Sequence, residues 1–210
     1  MRNAKKREWL PEAGLFVALV TLGVGLRLYF QDLPNFAPVA ALALFSGYWF
    51  RGWLTALCVP LAVMAISDCF IGGYAWQVTV VVYASLALPV ALRGPLRRWM
   101  SLERDGRMSA VVATAGVMTC ALGSSLIFYL TTNLACWIWF DTDHTVTGLL
   151  SNYLSALPFY RYTVTGDLLF AVVLFGTYAL YRLGSRQEVV RPVAVPVPVR
   201  IGRSIGRAAD

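Results

Sequence analysis

Arg27, Asn35, Asp68, Asn133, Arg161 and Asp167 are the residues of this chain on which chemistry would concentrate. Asp68 sits among Ile66, Cys69, Phe70 and Ile71, at the end of a hydrophobic run where a helix dipole disfavours an anion. A carboxylate in such a place needs a cationic or hydrogen-bonding partner. Arg27 and Arg161 are the basic residues expected on the same face, so Asp68 is expected either to pair with one of them or to contact a ligand. Taken alone, Arg27 reads as a snorkelling side chain that complements a helix C-terminus, and Arg161 reads as an interface anchor. Asp167 falls in the expected first turn of a helix, where an anion is favoured and capping is the simplest role. Asn35, followed by Pro38, reads as a helix N-cap with a proline in the first turn. Together with Asn133, these residues are expected to converge on one outward-facing, ligand-binding cavity.

Other constellations carry less. Asp141, Asp143 and His144 form a DxDH cluster. Carboxylate and imidazole can ligate a divalent ion, but the run is short, and a solvated loop is the expected reading. No metal ligands and no cofactor are assigned. The only lysines are Lys5 and Lys6, so a phosphate-binding GxxxxGK[ST] loop cannot be built and the chain cannot energise transport by itself. There is no HExxH, and the single histidine argues against Ser–His hydrolysis. The chain is not expected to be an enzyme; a membrane enzyme using Asp68 and Asp167 as an acid/base pair is the weakest reading. Cys58, Cys69, Cys120 and Cys136 show no CxxC spacing. They read as small packing residues, with a Cys69–Cys136 pair as the alternative. Arg97 and Arg98 read as loop charges on the opposite face, dispensable for stability and for binding.

The elements that must position these residues are hydrophobic spans. Of 210 residues, 58% are hydrophobic and 14% charged, and the mean hydropathy is +0.62. That is too apolar for an ordinary soluble domain. Runs approaching the ~20 apolar residues that cross a bilayer are expected at about Ala13–Tyr29, Phe36–Phe50, Leu54–Ile71, Trp76–Leu92, Ser109–Thr131 and Thr163–Leu183. The fold class is therefore all-α: a polytopic six-helix transmembrane bundle over residues 1–183. An extra short helix, Val146–Leu157, is expected in the outer loop between spans five and six. A basic Pro/Val-rich tail, 184–210, is expected to be disordered. Lys5-Lys6-Arg7 before an apolar run resembles a signal peptide, but no small-residue cleavage site follows, so it reads as an uncleaved first span.

Orientation follows from charge. Of the 18 Lys and Arg residues, all but Arg27 and Arg161 fall on one side of a six-span arrangement. By the positive-inside rule that side is the cytoplasm, with both termini in it. The net charge of +7 therefore marks membrane orientation rather than a nucleic-acid partner.

Several motifs occur in a recognisable order: Arg27-Leu28, Pro34-Asn35-Phe36-x-Pro38-Val39, Ala43-Leu44-Phe45-x-Gly47, Ser67-Asp68-x-x-x-Gly72, Leu157-Pro158-Phe159 and Gly166-Asp167-Leu168. With these the chain resembles a family of small uncharacterised bacterial membrane proteins, similar in turn to the substrate-binding (S) components of energy-coupling factor vitamin transporters. Gln31-Asp32-Leu33 stands where members often carry a histidine. The resemblance implies a bacterial inner-membrane protein that captures a small vitamin-like ligand. It implies a transmembrane coupling protein and cytoplasmic ATPase subunits as partners, besides membrane lipid. Small residues on span one, Gly14-x-x-x-Ala18 with Gly23 and Gly25, would be the face that meets the coupling protein or, equally, one packed inside the bundle. The alternative is a structural or assembly membrane protein without a small-molecule ligand.

Overall fold

A computed structural model describes residues 2–73, 75–99 and 107–189. Among these the secondary structure is helical throughout: α1 (Arg2–Tyr29), α2 (Val39–Trp49), α3 (Trp53–Ile71), α4 (Trp76–Ala87), a 3-10 helix (Leu88–Leu92), α5 (Arg93–Trp99), α6 (Arg107–Phe140) and α7 (Val146–Val189). By its contacts the chain forms two units, Met1–Thr177 and Tyr178–Asp210. The contacts described below all lie in the first unit.

Among the described residues five segments are long and apolar enough to cross a membrane: Glu12–Tyr29, Trp53–Ile71, Trp76–Trp99, Val111–Phe140 and Val146–Arg182. Their surfaces are apolar as well. Leu54 is 75% exposed, Phe70 72%, Trp76 73% and Val146 75%. Apolar exposure on that scale suits a hydrocarbon solvent rather than water.

The sixth expected span is different. At 1.5 Å per residue, the 11 residues of α2 extend about 16 Å, roughly half a bilayer core. Its residues from Val39 through Gly47 are all buried. So α2 is the core of the bundle, and it is not among the five segments of spanning length found in the described residues. Small side chains permit this close packing. A Cβ on Gly23 of α1 would lie 2.6 Å from Leu42 of α2, and one on Gly47 would lie 3.0 Å from the backbone carbonyl of Val90.

The buried C-terminus of α2 needs partners for its last carbonyls. Arg97 Nε donates to the Tyr48 carbonyl (3.0 Å) and Arg97 Nη2 to those of Gly47 (3.2 Å) and Phe50 (2.8 Å). Arg93 Nη2 donates to Phe50 O (3.3 Å) and Arg51 O (2.8 Å), with its guanidinium 5.7 Å from the Trp53 ring centre. Both cations also lie at the negative end of the α2 dipole. Arg97 is therefore a structural cap, which corrects its reading as a dispensable loop charge.

Two further expectations are corrected here. Val146–Leu157 is not a separate short helix: it is the first part of α7, which runs unbroken through Pro158. A membrane-type helix tolerates an interior proline when neighbours satisfy the freed carbonyl. Asn35 is not an N-cap either. It occupies the left-handed region (φ 60) in the turn closed by Phe36 N–H on Leu33 O (3.2 Å), and the cap position of α2 belongs to Pro38. Helix α7 continues past the expected boundary at residue 183 to Val189. The rest of the expected tail lies outside the described residues.

Candidate functional site

α1 and α3 lie side by side with their C-terminal ends together, and this brings Arg27 to Asp68. The Arg27 guanidinium is 2.5 Å from Asp68 Oδ1 and also donates to the Ser67 hydroxyl. Tyr83 of α4 donates to Asp68 Oδ2 at 2.8 Å. Ser67 donates in turn to the Val63 carbonyl at 2.6 Å. Both carboxylate oxygens are thus engaged, and the side chains of Arg27 and Asp68 are only 12% and 10% exposed. Of the two outcomes expected for Asp68, the structure shows the ion pair, and it selects Arg27 over Arg161.

Two cavities, of about 180 and about 200 Å³, lie in this region, and Arg27 lines the second. Asn35, Val82, Phe128 and Thr163 line both, so they are adjacent lobes of one concavity. The lower lobe is bounded by Arg27, Gln31 and Asp167 among apolar walls that include Phe30 and Phe36. The upper lobe has Tyr129, Tyr160, Thr132 and Asn133 on its wall. The Tyr129 and Tyr160 rings are 4.6 Å apart, centre to centre. The left-handed turn at Asn35 lets one residue reach both lobes.

Asp167 is the unusual member. It is 4% exposed and accepts a 2.6 Å hydrogen bond from Ser125 of α6. Among the described residues no cation forms an ion pair with it. Because α7 begins at Val146, Asp167 is an interior residue of the helix, which corrects its reading as a first-turn cap. Gly166 makes room next to it: a Cβ there would sit 3.3 Å from the Phe36 ring and 3.4 Å from the Ala37 nitrogen. The Pro34-Asn35-Phe36 turn and the Gly166-Asp167 pair, far apart in sequence, are thus packed together at the lower lobe.

Of the six expected site residues, Arg27, Asn35, Asn133 and Asp167 line the concavity. Asp68 stands behind Arg27 and is not on either wall. Arg161 is exposed, stacks on its neighbour Tyr162 at 4.9 Å and is apart from the site. Asn133 is itself held in place, donating to Tyr129 O (2.8 Å), while its carbonyl accepts from Asn152 (2.7 Å). Sequence reasoning missed Ser67, Tyr83, Ser125, Tyr129 and Tyr160. Ser67, which stands in the Ser67-Asp68 motif, and Ser125 gave a signal: a polar residue inside an apolar run calls for a partner.

The DxDH residues build a helix start. Asp141 Oδ1 accepts the Asp143 N–H and Asp143 Oδ1 the Thr145 N–H, each at 3.0 Å. Thr145 then caps α7 by accepting the Gly148 N–H at 3.1 Å. Hydrogen bonds from Thr145, hydroxyl and backbone, hold the Asp143 carboxyl below the ordinary carboxylate range. Cys69 and Cys136 are both free thiols, so the alternative of a disulfide is not realised.

Residues 7–190 match a family described as a family of unknown function (DUF6580). No curated protein and no solved structure matches the chain, and the resemblance to S components rests on its sequence motifs alone.

Proposed function

We propose that this protein, which belongs to the DUF6580 family, is a bacterial inner-membrane protein that captures a small solute in an outward-facing cavity and has no catalytic role. One observation carries the reading: a buried carboxylate, Asp167, lines a two-lobed cavity with Ser125 as its hydrogen-bond donor and, among the described residues, no cationic partner. A charge buried at membrane depth is costly and marks a site where something is bound. A cavity of ~150 Å³ is enough to hold a benzene-sized molecule. Two adjacent lobes of about 180 and about 200 Å³ suit a compound of one or two rings.

The charge asymmetry between the loops supports an orientation with Arg27, Asp68 and the cavity outward and the arginine-capped end of α2 inward. In the finer reading the protein is the capture subunit of an energy-coupling factor importer, handing its solute to a transmembrane coupling protein driven by cytoplasmic ATPases. The absence of a phosphate-binding loop in this sequence fits that division of labour. Gly23 is consumed by packing inside the bundle, whereas Gly14 and Gly25 have open space around them, with Ala18 exposed between them. These three keep a small-residue face available for a partner helix.

The test is mass spectrometry of small molecules released from the purified protein, followed by thermal stabilisation with each one identified. A compound that raises the melting temperature of the native protein, but not of Ala156→Trp with its upper lobe filled, is the expected result. Absence of any retained or stabilising compound overturns capture.

A further inference from the structure

We infer that the ligand of this cavity is an organic cation: a ring-sized body carrying a protonated amine or comparable positive group that meets the carboxylate of Asp167. The inference rests on the capture reading above and adds the sign of the ligand's charge.

Charge balance across the site points to it. Arg27, on the wall of the lower lobe, is already committed to Asp68 and Ser67, and each carboxylate oxygen of Asp68 accepts from one partner, Arg27 or Tyr83. That pair is neutral as a unit. Asp167 is left with the hydroxyl of Ser125 and no counter-charge among the described residues. Asp167 is already withdrawn from water at 4% exposure, so its ionised form is costly while unpaired, and a ligand offsets that cost only when it brings a charge-assisted donor. An anionic ligand would instead add a second negative charge, facing an arginine whose charge is already matched.

The upper lobe has the same preference by another route. Tyr129 and Tyr160 present aromatic surface to it, and the negative face of an aromatic ring attracts a cation within about 6 Å. The Tyr129 hydroxyl donates to the Tyr153 carbonyl at 2.6 Å, which fixes that ring. Phe128 and Phe159 complete a wall suited to a flat ring. A bare metal ion fits poorly. Hard cations take six or more oxygen ligands at close range, whereas these walls are mainly apolar and hold one carboxylate. No cluster of three His, Cys, Asp or Glu side chains occurs among the described residues.

The experiment compares three probes of matched size, benzylammonium, benzyl alcohol and benzoate, by thermal stabilisation of the full-length protein in lipid nanodiscs at constant ionic strength. Benzylammonium is expected to bind about tenfold or more tightly than either of the others, the scale of one charge-assisted hydrogen bond. Asp167→Asn should remove most of that preference, leaving only the smaller contribution of the Tyr129 and Tyr160 rings. Ser125→Ala, which keeps the charge and removes its donor, should retain the preference for benzylammonium and guards against a folding defect in the first variant. Equal binding of the three probes, a preference for benzoate, or an undiminished preference in Asp167→Asn overturns the inference while leaving solute capture standing. Failure of every probe, together with absence of any retained compound, overturns both.

Discussion

Arg27 and Asp68, 41 positions apart in the chain, form an ion pair of 2.5 Å that ties the ends of α1 and α3 together. Tyr83 extends the tie to α4 through the second carboxylate oxygen. Removing one partner leaves a largely buried charge without its counter-ion, which costs more than the pair itself contributes. Asp68→Asn and Arg27→Gln should each lower the melting temperature. The double variant should lose less than the sum, with a coupling of about 1–3 kcal/mol. Arg161→Ala, at an exposed arginine apart from this network, should change stability by less than about 0.5 kcal/mol. Additive losses at Arg27 and Asp68 would count against the pair as described.

At the other end of the bundle, Arg97→Ala removes donors to three carbonyls of the buried α2 terminus. Hydrogen bonds from a charged donor contribute roughly 1.5–3 kcal/mol when their loss strands buried acceptors. The expected result is a clear drop in melting temperature, on the order of 2 kcal/mol in stability, with ligand-induced stabilisation of the remaining folded protein retained. Lys at the same position recovers little, because an ammonium cannot reproduce the planar fork of donors.

The helix start at Thr145 is expected to respond to acid. The Asp143 carboxyl has its pKa lowered from 3.8, first by the Thr145 hydroxyl and then by the Thr145 backbone N–H. A depressed folded-state value means that the carboxylate's contribution is fully present above about 4 and is lost as the pH falls through the lower folded value. Trp137 reports on this, since its indole N–H donates to the Asp143 carbonyl at 2.9 Å. Its indole resonance should be constant at neutral pH, shift on acidification below pH 4, and lose that acid response in Asp143→Asn. Gly148→Ala should disturb the same resonance at every pH, because a Cβ there would collide with the Asp143 carbonyl oxygen.

Membrane orientation is open to direct labelling. On a background without the four native cysteines, Thr142→Cys should react with an impermeant thiol reagent in intact cells, and Arg104→Cys should react only after the membrane is opened. The reverse pattern would invert the proposed topology and place the cavity on the cytoplasmic face.

Composition and hydrophobic runs by themselves determined that the chain is all-helical and rich in bilayer-length segments, because a 20-residue apolar run leaves few alternatives to a helix. They also marked Asp68 as a residue in need of a partner, since the cost of an unpaired carboxylate in an apolar run is local and readable. The partner was not readable: Arg27 and Arg161 were equivalent by sequence, and only the parallel packing of α1 and α3 chose between them. The same limit applies to α2. Its apolar run resembles a short span, and only its enclosure on all sides, with Arg93 and Arg97 closing its end, made it the core. For Asp167 the error lay in beginning a separate span at about Thr163, which placed Asp167 in a first turn and made it a cap. Tertiary packing carried α7 through Pro158 and delivered Asp167 to Ser125 and the cavity. Helix existence is a local property of side-chain hydrophobicity, whereas the pairing of polar groups across helices depends on depth and rotation, which are set only when the whole bundle has packed.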